Sequence, residues 1–137
     1  MPISYSIEDM QCISFFEDVT KVSVKDVIRQ EYSFVFIVDA GMTGKAVGTG
    51  GKMAKRLEEG LRKRVRIVDF NSELKQFVFN VVAPLEIAEF EEQDGIVTLS
   101  AKDLKTRGML IGRNASHLRE FEAIIQRHFP IRELRVQ

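Results

Sequence analysis

Two glycine-centred turns recur in this chain of 137 residues, Ala46-Val47-Gly48-Thr49-Gly50-Gly51-Lys52 and Leu110-Ile111-Gly112-Arg113-Asn114-Ala115-Ser116, with Gly48 and Gly112 standing 64 positions apart. A period of that length leaves room for two copies of one small unit and little else. Each turn joins a short helical stretch to a longer amphipathic one. The unit must therefore pack two helices around a corner where glycine, free to adopt positive φ, is at ease. One such turn is equally an ordinary helix–helix corner. Two in equivalent places, both with basic neighbours, point to a shared task.

The order of elements repeats as well. Ser6-Ile7-Glu8-Asp9 reads as a cap with acids in the first turn, and Ile7, Met10, Ile13 and Phe15 or Phe16 recur at helical spacing, which predicts a helix over residues 6–19. Val22 to Ile28 reads as a strand, and Phe34-Val35-Phe36-Ile37-Val38 as a second strand, apolar on both faces. A short helix through Lys45 to Val47 leads into the first turn. The next helix carries Met53, Leu57 and Leu61 on one stripe, and Arg64 to Val68 alternates as a strand. In the second half Glu73 to Val82 suits a helix stopped by Pro84. Leu85 to Glu92 and Ile96 to Leu99 read as strands joined by the hairpin signal Asp94-Gly95. Asp103 caps a short helix to Leu110, Leu118, Phe121, Ile125 and Phe129 line the helix after the second turn, and Ile131 to Val136 closes the unit as a strand. The expected domains are residues 1–70 and 71–137. Each is marginal by size alone, and no flexible spacer separates them at Asn71-Ser72, so the halves are expected to pack together.

Composition excludes several classes. Hydrophobic residues make up 45%, enough for a core, and 20 basic side chains balance 20 acidic ones, so net charge names no partner. Distribution is more informative. From Lys45 to Arg66 there are eight bases (Lys45, Lys52, Lys55, Arg56, Arg62, Lys63, Arg64, Arg66) against Glu58 and Glu59, a local balance of +6 around the first turn. From Glu86 to Asp94 there are only acids. Cys12 is the single cysteine, which fits a reducing compartment and reads as a small core residue. Met1 to Asp9 lacks the charged head and apolar run of a signal peptide, and no apolar stretch approaches about 20 residues, so a soluble cytoplasmic protein without membrane contact is expected.

A helix entered through a glycine-rich turn presents unpaired backbone N–H groups with partial positive charge, a natural seat for phosphate. The nucleotide-hydrolase reading fails. The pattern G-x-x-x-x-G-K-[ST] meets Ala46 and Met53 where a glycine and a magnesium-binding hydroxyl belong. A dinucleotide fingerprint fails too, because its third glycine falls at Met53. His117 and His128 have no cluster of further ligands, and His117 reads as a surface residue. The ten phenylalanines, Phe34, Phe36, Phe77 and Phe121 among them, read as core rather than as a base-stacking platform.

Val47-Gly48-Thr49-Gly50-Gly51-Lys52 resembles the I/V-G-x-x-G loop of KH domains, which grip the backbone of about four single-stranded nucleotides. Helix, strand, strand, helix, loop, helix, strand is the type II order of that family. The tandem arrangement resembles the archaeal NusA-like transcription factors. Phe15-Phe16-Glu17 through Val27, Gly44-Lys45-Ala46-Val47-Gly48 through Leu57-Glu58, and Arg64-Val65 onward carry the resemblance. It implies an α+β fold (an α/β sandwich) of two tandem type II KH domains, each a three-stranded mixed sheet covered by helices on one face. It implies no catalysis and no cofactor. The expected partners are single-stranded RNA and RNA polymerase, in transcription termination or antitermination, for a monomer.

On this reading Gly48, Thr49, Gly50 and Gly51 hold phosphates through the backbone, Lys45, Lys52, Lys55 and Arg56 track the strand, and bases lie between the loop-flanking helices and a sheet edge. Gly112, Arg113, Asn114 and Ala115 form the second site. There Ala115 stands where the last glycine is expected. It is accommodated if that residue is already helical, but its methyl would crowd a phosphate, with Arg113 and Asn114 compensating. Net neutrality, the acidic strand and Ala115 keep a protein-interaction module on the same scaffold open, as does a KH protein of ribosome assembly or RNA processing.

Overall fold

The computed structural model describes residues 3–137; Met1 and Pro2, the start of the segment read as lacking a signal peptide, lie outside the described residues. Two compact units follow one another, the first ending at Asn71 and the second running from Ser72 to Gln137.

The first unit runs α1 (Ile7–Thr20), β1 (Val24–Arg29), β2 (Ser33–Val38), α2 (Thr43–Val47), α3 (Lys52–Leu61) and β3 (Arg64–Asp69). Ser6 caps α1: its hydroxyl accepts the Asp9 N–H at 3.1 Å, and the Asp9 carboxylate accepts the Ser6 N–H at 2.9 Å. The Ser6 N–H, with the Ser6 hydroxyl and Arg29 beside it, holds the Asp9 carboxyl below its usual range. The apolar stripe read for α1 starts later than expected. Ile7 and Met10 are exposed at 77% and 62%, whereas Phe16 and Thr20 are buried. The first turn needs no apolar face because Arg29 holds it through Glu8 at 2.6 Å and Asp9 at 2.7 Å.

The sheet order is β1-β2-β3, with β1 antiparallel and β3 parallel to β2, so a hairpin and a helical crossover both start from the central strand. Phe34, Phe36 and Val38 meet Phe16 of α1, Ala46 of α2 and Leu57 of α3, and the Phe16 and Phe36 rings stack at 4.4 Å. Val35 and Ile37, on the opposite face of β2, are equally buried, as a run apolar on both faces requires. Val22, read as part of β1, precedes it. Glu17 of α1 accepts the Val24 N–H at 2.8 Å, and a bulge follows between Val24 and Asp26, so the chain leaves the helix on a side-chain bond before the ladder begins.

The second unit repeats the plan: α4 (Leu74–Val82), β4 (Ile87–Gln93), β5 (Ile96–Ala101), α5 (Leu104–Ile111), α6 (Ser116–Gln126) and β6 (Glu133–Val136), with sheet order β4-β5-β6 and the same strand directions. Asp94 and Gly95 both take positive φ, 53° and 80°, as a tight hairpin turn demands. Several boundaries differ from the reading. Leu85 stays in a turn, its N–H on the Val82 carbonyl at 3.0 Å, and Ile131 does the same with the Phe129 carbonyl at 2.9 Å. Phe129 lies beyond the end of α6, yet its ring still packs on Phe77 at 5.5 Å. On β5, Val97 and Leu99 are buried and Ile96, Thr98 and Ser100 only half-buried, so this sheet keeps a polar face where β2 of the first unit has an apolar one. Among the described residues no helix is long and apolar enough to cross a membrane.

Candidate nucleic-acid interface

Both loops share one backbone path. In the first, Gly48 sits at φ 79°, ψ 168°, Gly50 at 63°, 20° and Gly51 at 76°, 16°, and α3 begins at Lys52. In the second, Gly112 sits at 72°, 177°, Asn114 at 54°, 34° and Ala115 at 61°, 24°, and α6 begins at Ser116. The glycines do different jobs. A Cβ on Gly48 would lie 2.8 Å from Met53 Cγ, and one on Gly112 would lie 2.6 Å from His117 Cγ, so these two let the following helix close on the turn. A Cβ on Gly50 or Gly51 would meet nothing within 4 Å. Glycine is favoured there for its φ, and its consequence is bare backbone open to a ligand.

The first loop's donors are partly spent. The Gly48 N–H goes to the Gly44 carbonyl and the Gly51 N–H to the Gly48 carbonyl, both at 3.1 Å, so Gly48 and Gly51 shape the loop rather than donate from it. Thr49 and Gly50 keep N–H groups with no acceptor among the described residues. No side chain caps the start of α3, which leaves its dipole uncompensated. Lys45, Lys52, Lys55 and Arg56 are exposed and form no ion pair among the described residues. Lys63 belongs elsewhere. Its ammonium donates to the Gln30 carbonyl at 3.3 Å and lies 5.1 Å from the Phe34 ring centre, so it fastens the β1–β2 hairpin.

The second loop has the path with less charge around it. At the same spacing of 64, Met109, Ser116 and Glu120 stand where the first unit has Lys45, Lys52 and Arg56, and only Arg119 preserves a base, at Lys55. Arg113 and Asn114 are exposed at the tip. Ala115 is not helical, contrary to the condition under which alanine was expected there. It holds left-handed backbone, and its Cβ adds strain of about 1–2 kcal/mol. Ala115→Gly should therefore stabilise the second unit by about 0.5–1 kcal/mol, part of the strain being offset by the freer unfolded chain, as read from denaturant unfolding; a destabilised variant would contradict the strain argument.

His117, read as a surface residue, is exposed and also structural. Its Nδ1 lies 2.7 Å from the Met109 carbonyl near the end of α5, so Nδ1 carries the proton and donates. It occupies the place of Met53, a correspondence that the spacing of 64 already contained. Cys12 packs at the edge of the first core, where burial pushes its thiol up. Glu89, Glu91 and Glu92 are exposed on β4, and among the described residues no group of three potential ligands could hold a metal.

No protein-family model matches the chain. Its sequence is 27% identical over 137 residues to a protein of Methanocaldococcus jannaschii named probable transcription termination protein NusA, covering 98% of this chain and 75% of that one. A protein of the same name from Halobacterium salinarum is 28% identical over 138 residues, covering 99% of both. One from Methanococcus vannielii reaches 34% over 89 residues, or 65% of this chain and 51% of the relative. The crystal structure of a protein named APE1850 superposes with a TM-score of 0.80 at 24% identity, covering 97% of this chain and all of that one. The resemblance to archaeal NusA-like proteins therefore runs along nearly the whole sequence. The fold is the expected α+β one of two three-stranded mixed sheets with helices packed on them, in type II KH order.

Proposed function

We propose that this NusA-like chain is a single-stranded RNA-binding factor of transcription termination or antitermination, built from KH domains over residues 1–70 and 71–137. The observation that carries the reading is the first loop. Bare backbone at Gly50, an uncapped helix start at Lys52 and the unpaired bases Lys45, Lys52, Lys55 and Arg56 meet there, and nothing in that set selects a base, so it suits a sugar–phosphate backbone. Thr49 and Gly50 supply the N–H donors, and the bases neutralise neighbouring phosphates. Nascent RNA and RNA polymerase are the partners, in the cytoplasm, with the chain acting as a monomer and without catalysis.

Titration with single-stranded RNA at rising salt tests this. Affinity should fall with a logarithmic slope of about 0.7 per phosphate neutralised, and two or three contacts at the first loop predict a slope of about 1.4–2.1. A complex insensitive to salt would exclude backbone recognition.

The second loop favours a second reading, a surface for protein. Met109 and Glu120 in place of two bases suit a polymerase contact better than a phosphate. Retention of RNA polymerase after ribonuclease treatment, with no direct RNA affinity, would select that reading over the first.

A further inference from the structure

One cationic feature does repeat between the units, and it runs from the helix after each loop to the last strand. The Glu58 carboxylate accepts the Val65 N–H at 2.9 Å, and the Glu122 carboxylate accepts the Leu134 N–H at 2.9 Å. The helix after each loop thus anchors the last strand in the same way, which aligns Lys55 with Arg119, Lys63 with Arg132, and Arg66 with Arg135. All three positions are basic in both copies. In the first unit Lys63 is committed to Gln30 and Phe34.

In the second unit the corresponding arginine is available. The stem of Arg132 lies along the Asp94–Gly95 turn, where a Cβ on Gly95 would stand 3.1 Å from its Cγ and 3.2 Å from its Cδ, and its guanidinium has no acceptor among the described residues. Arg119, Arg132 and Arg135 line one cavity of about 350 Å³ together with Ile96, Glu122 and Glu133. Both glutamates are engaged. Glu122 serves Leu134 and, at 3.4 Å, Arg119, while Glu133 takes Arg135 at 3.0 Å. Arg132 and Arg135 also border a second opening with Glu91 and Asp94 but form no ion pair with either among the described residues. An anion in the first cavity would find one uncommitted guanidinium and two exposed arginines each held by a single glutamate, Arg119 at the long distance of 3.4 Å and Arg135 at 3.0 Å.

We infer that this cavity is the second unit's phosphate site, taking a phosphodiester of single-stranded RNA through Arg119, Arg132 and Arg135 in place of the charge-poor loop at Gly112. The inference rests on the RNA reading above. Arginine suits the task because its planar fork can hold two phosphate oxygens at once. The site lengthens the stretch of RNA the protein covers beyond what one loop can grip.

The test uses the full chain carrying Arg119→Gln, Arg132→Gln and Arg135→Gln, with mixed-sequence oligoribonucleotides of about 4 nucleotides, the reach of one loop, and about 12. The triple variant should bind the longer oligonucleotide about tenfold more weakly, with the salt slope reduced by about 0.7, and the shorter one unchanged. Lys105→Gln with Arg107→Gln, exposed bases of the same unit outside the cavity, controls for general loss of charge. Should the triple variant fail to fold, Arg132→Gln alone, which has no structural bond to lose, should still cost about threefold. Equal binding of the longer oligonucleotide by variant and wild type overturns this site and leaves the first loop's role standing. If the wild-type protein binds neither oligonucleotide, the RNA reading falls and this site with it.

Discussion

With Thr49→Asp and Gly50→Asp in place, the protein should lose most of its affinity for single-stranded RNA and keep its fold. Two carboxylates would then sit where phosphates are expected. Like charges about 4 Å apart repel by about 1 kcal/mol each in water and by more beside protein, so roughly 2 kcal/mol is on the order of a thirtyfold loss. The structure explains why folding survives. Thr49 is exposed, a Cβ on Gly50 meets nothing within 4 Å, and aspartate is one of the few residues that tolerates the left-handed backbone at φ 63°. Titration measures the affinity, and circular dichroism checks the fold. An unchanged titration with an unchanged spectrum would move the binding site off this loop.

Gly48→Ala and Gly112→Ala should have the opposite profile, a large loss of stability whatever their effect on RNA. Both residues occupy a region of φ and ψ that is essentially closed to side chains, which costs about 1–3 kcal/mol. Each new methyl would also collide with the following helix, at 2.8 Å from Met53 Cγ or 2.6 Å from His117 Cγ, adding about 1–3 kcal/mol. The combined loss of about 2–6 kcal/mol corresponds to a fall on the order of 10–45 °C in the melting temperature of a unit this small. Gly51→Ala provides the contrast. Its conformation is the one Ala115 already holds and its surroundings are open, so about 1–2 kcal/mol is expected. Equal losses at Gly48 and Gly51 would refute the distinction between a packing glycine and a conformational one.

Much of this was legible in the residues because local chemistry determines it. The element order, the Asp94–Gly95 hairpin, the Ser6 and Asp103 caps and the two loops all follow from turn residues and apolar spacing. The misreadings share a cause. Ile7 and Met10 fit the helical period, but the period says nothing of where a neighbouring surface ends, and ion pairs of Arg29 hold that turn instead. Val22, Leu85 and Ile131 look like strand residues because apolar β-branched or leucine side chains also occupy the buried and half-buried positions that lead into strands. The arginine cavity was out of reach for another reason: Arg119 lies on α6, Arg132 just before β6 and Arg135 on β6, and tertiary bonds from Glu122 to Leu134 and from Gln126 to the Ile131 and Arg132 carbonyls bring them together. The loss of bases around the second loop was readable from the start. It required only that the spacing of 64 be carried beyond the glycines to Met109, Ser116 and Glu120.

The paired bonds from Glu58 to Val65 and from Glu122 to Leu134 bear on how such a surface meets its ligand. Each ties the helix that leaves the loop to the strand edge, so the end of the loop and the edge are joined through one helix before any ligand arrives. On the RNA reading proposed above, a flexible strand would supply most of the ordering on binding, and the protein would give up little freedom of its own.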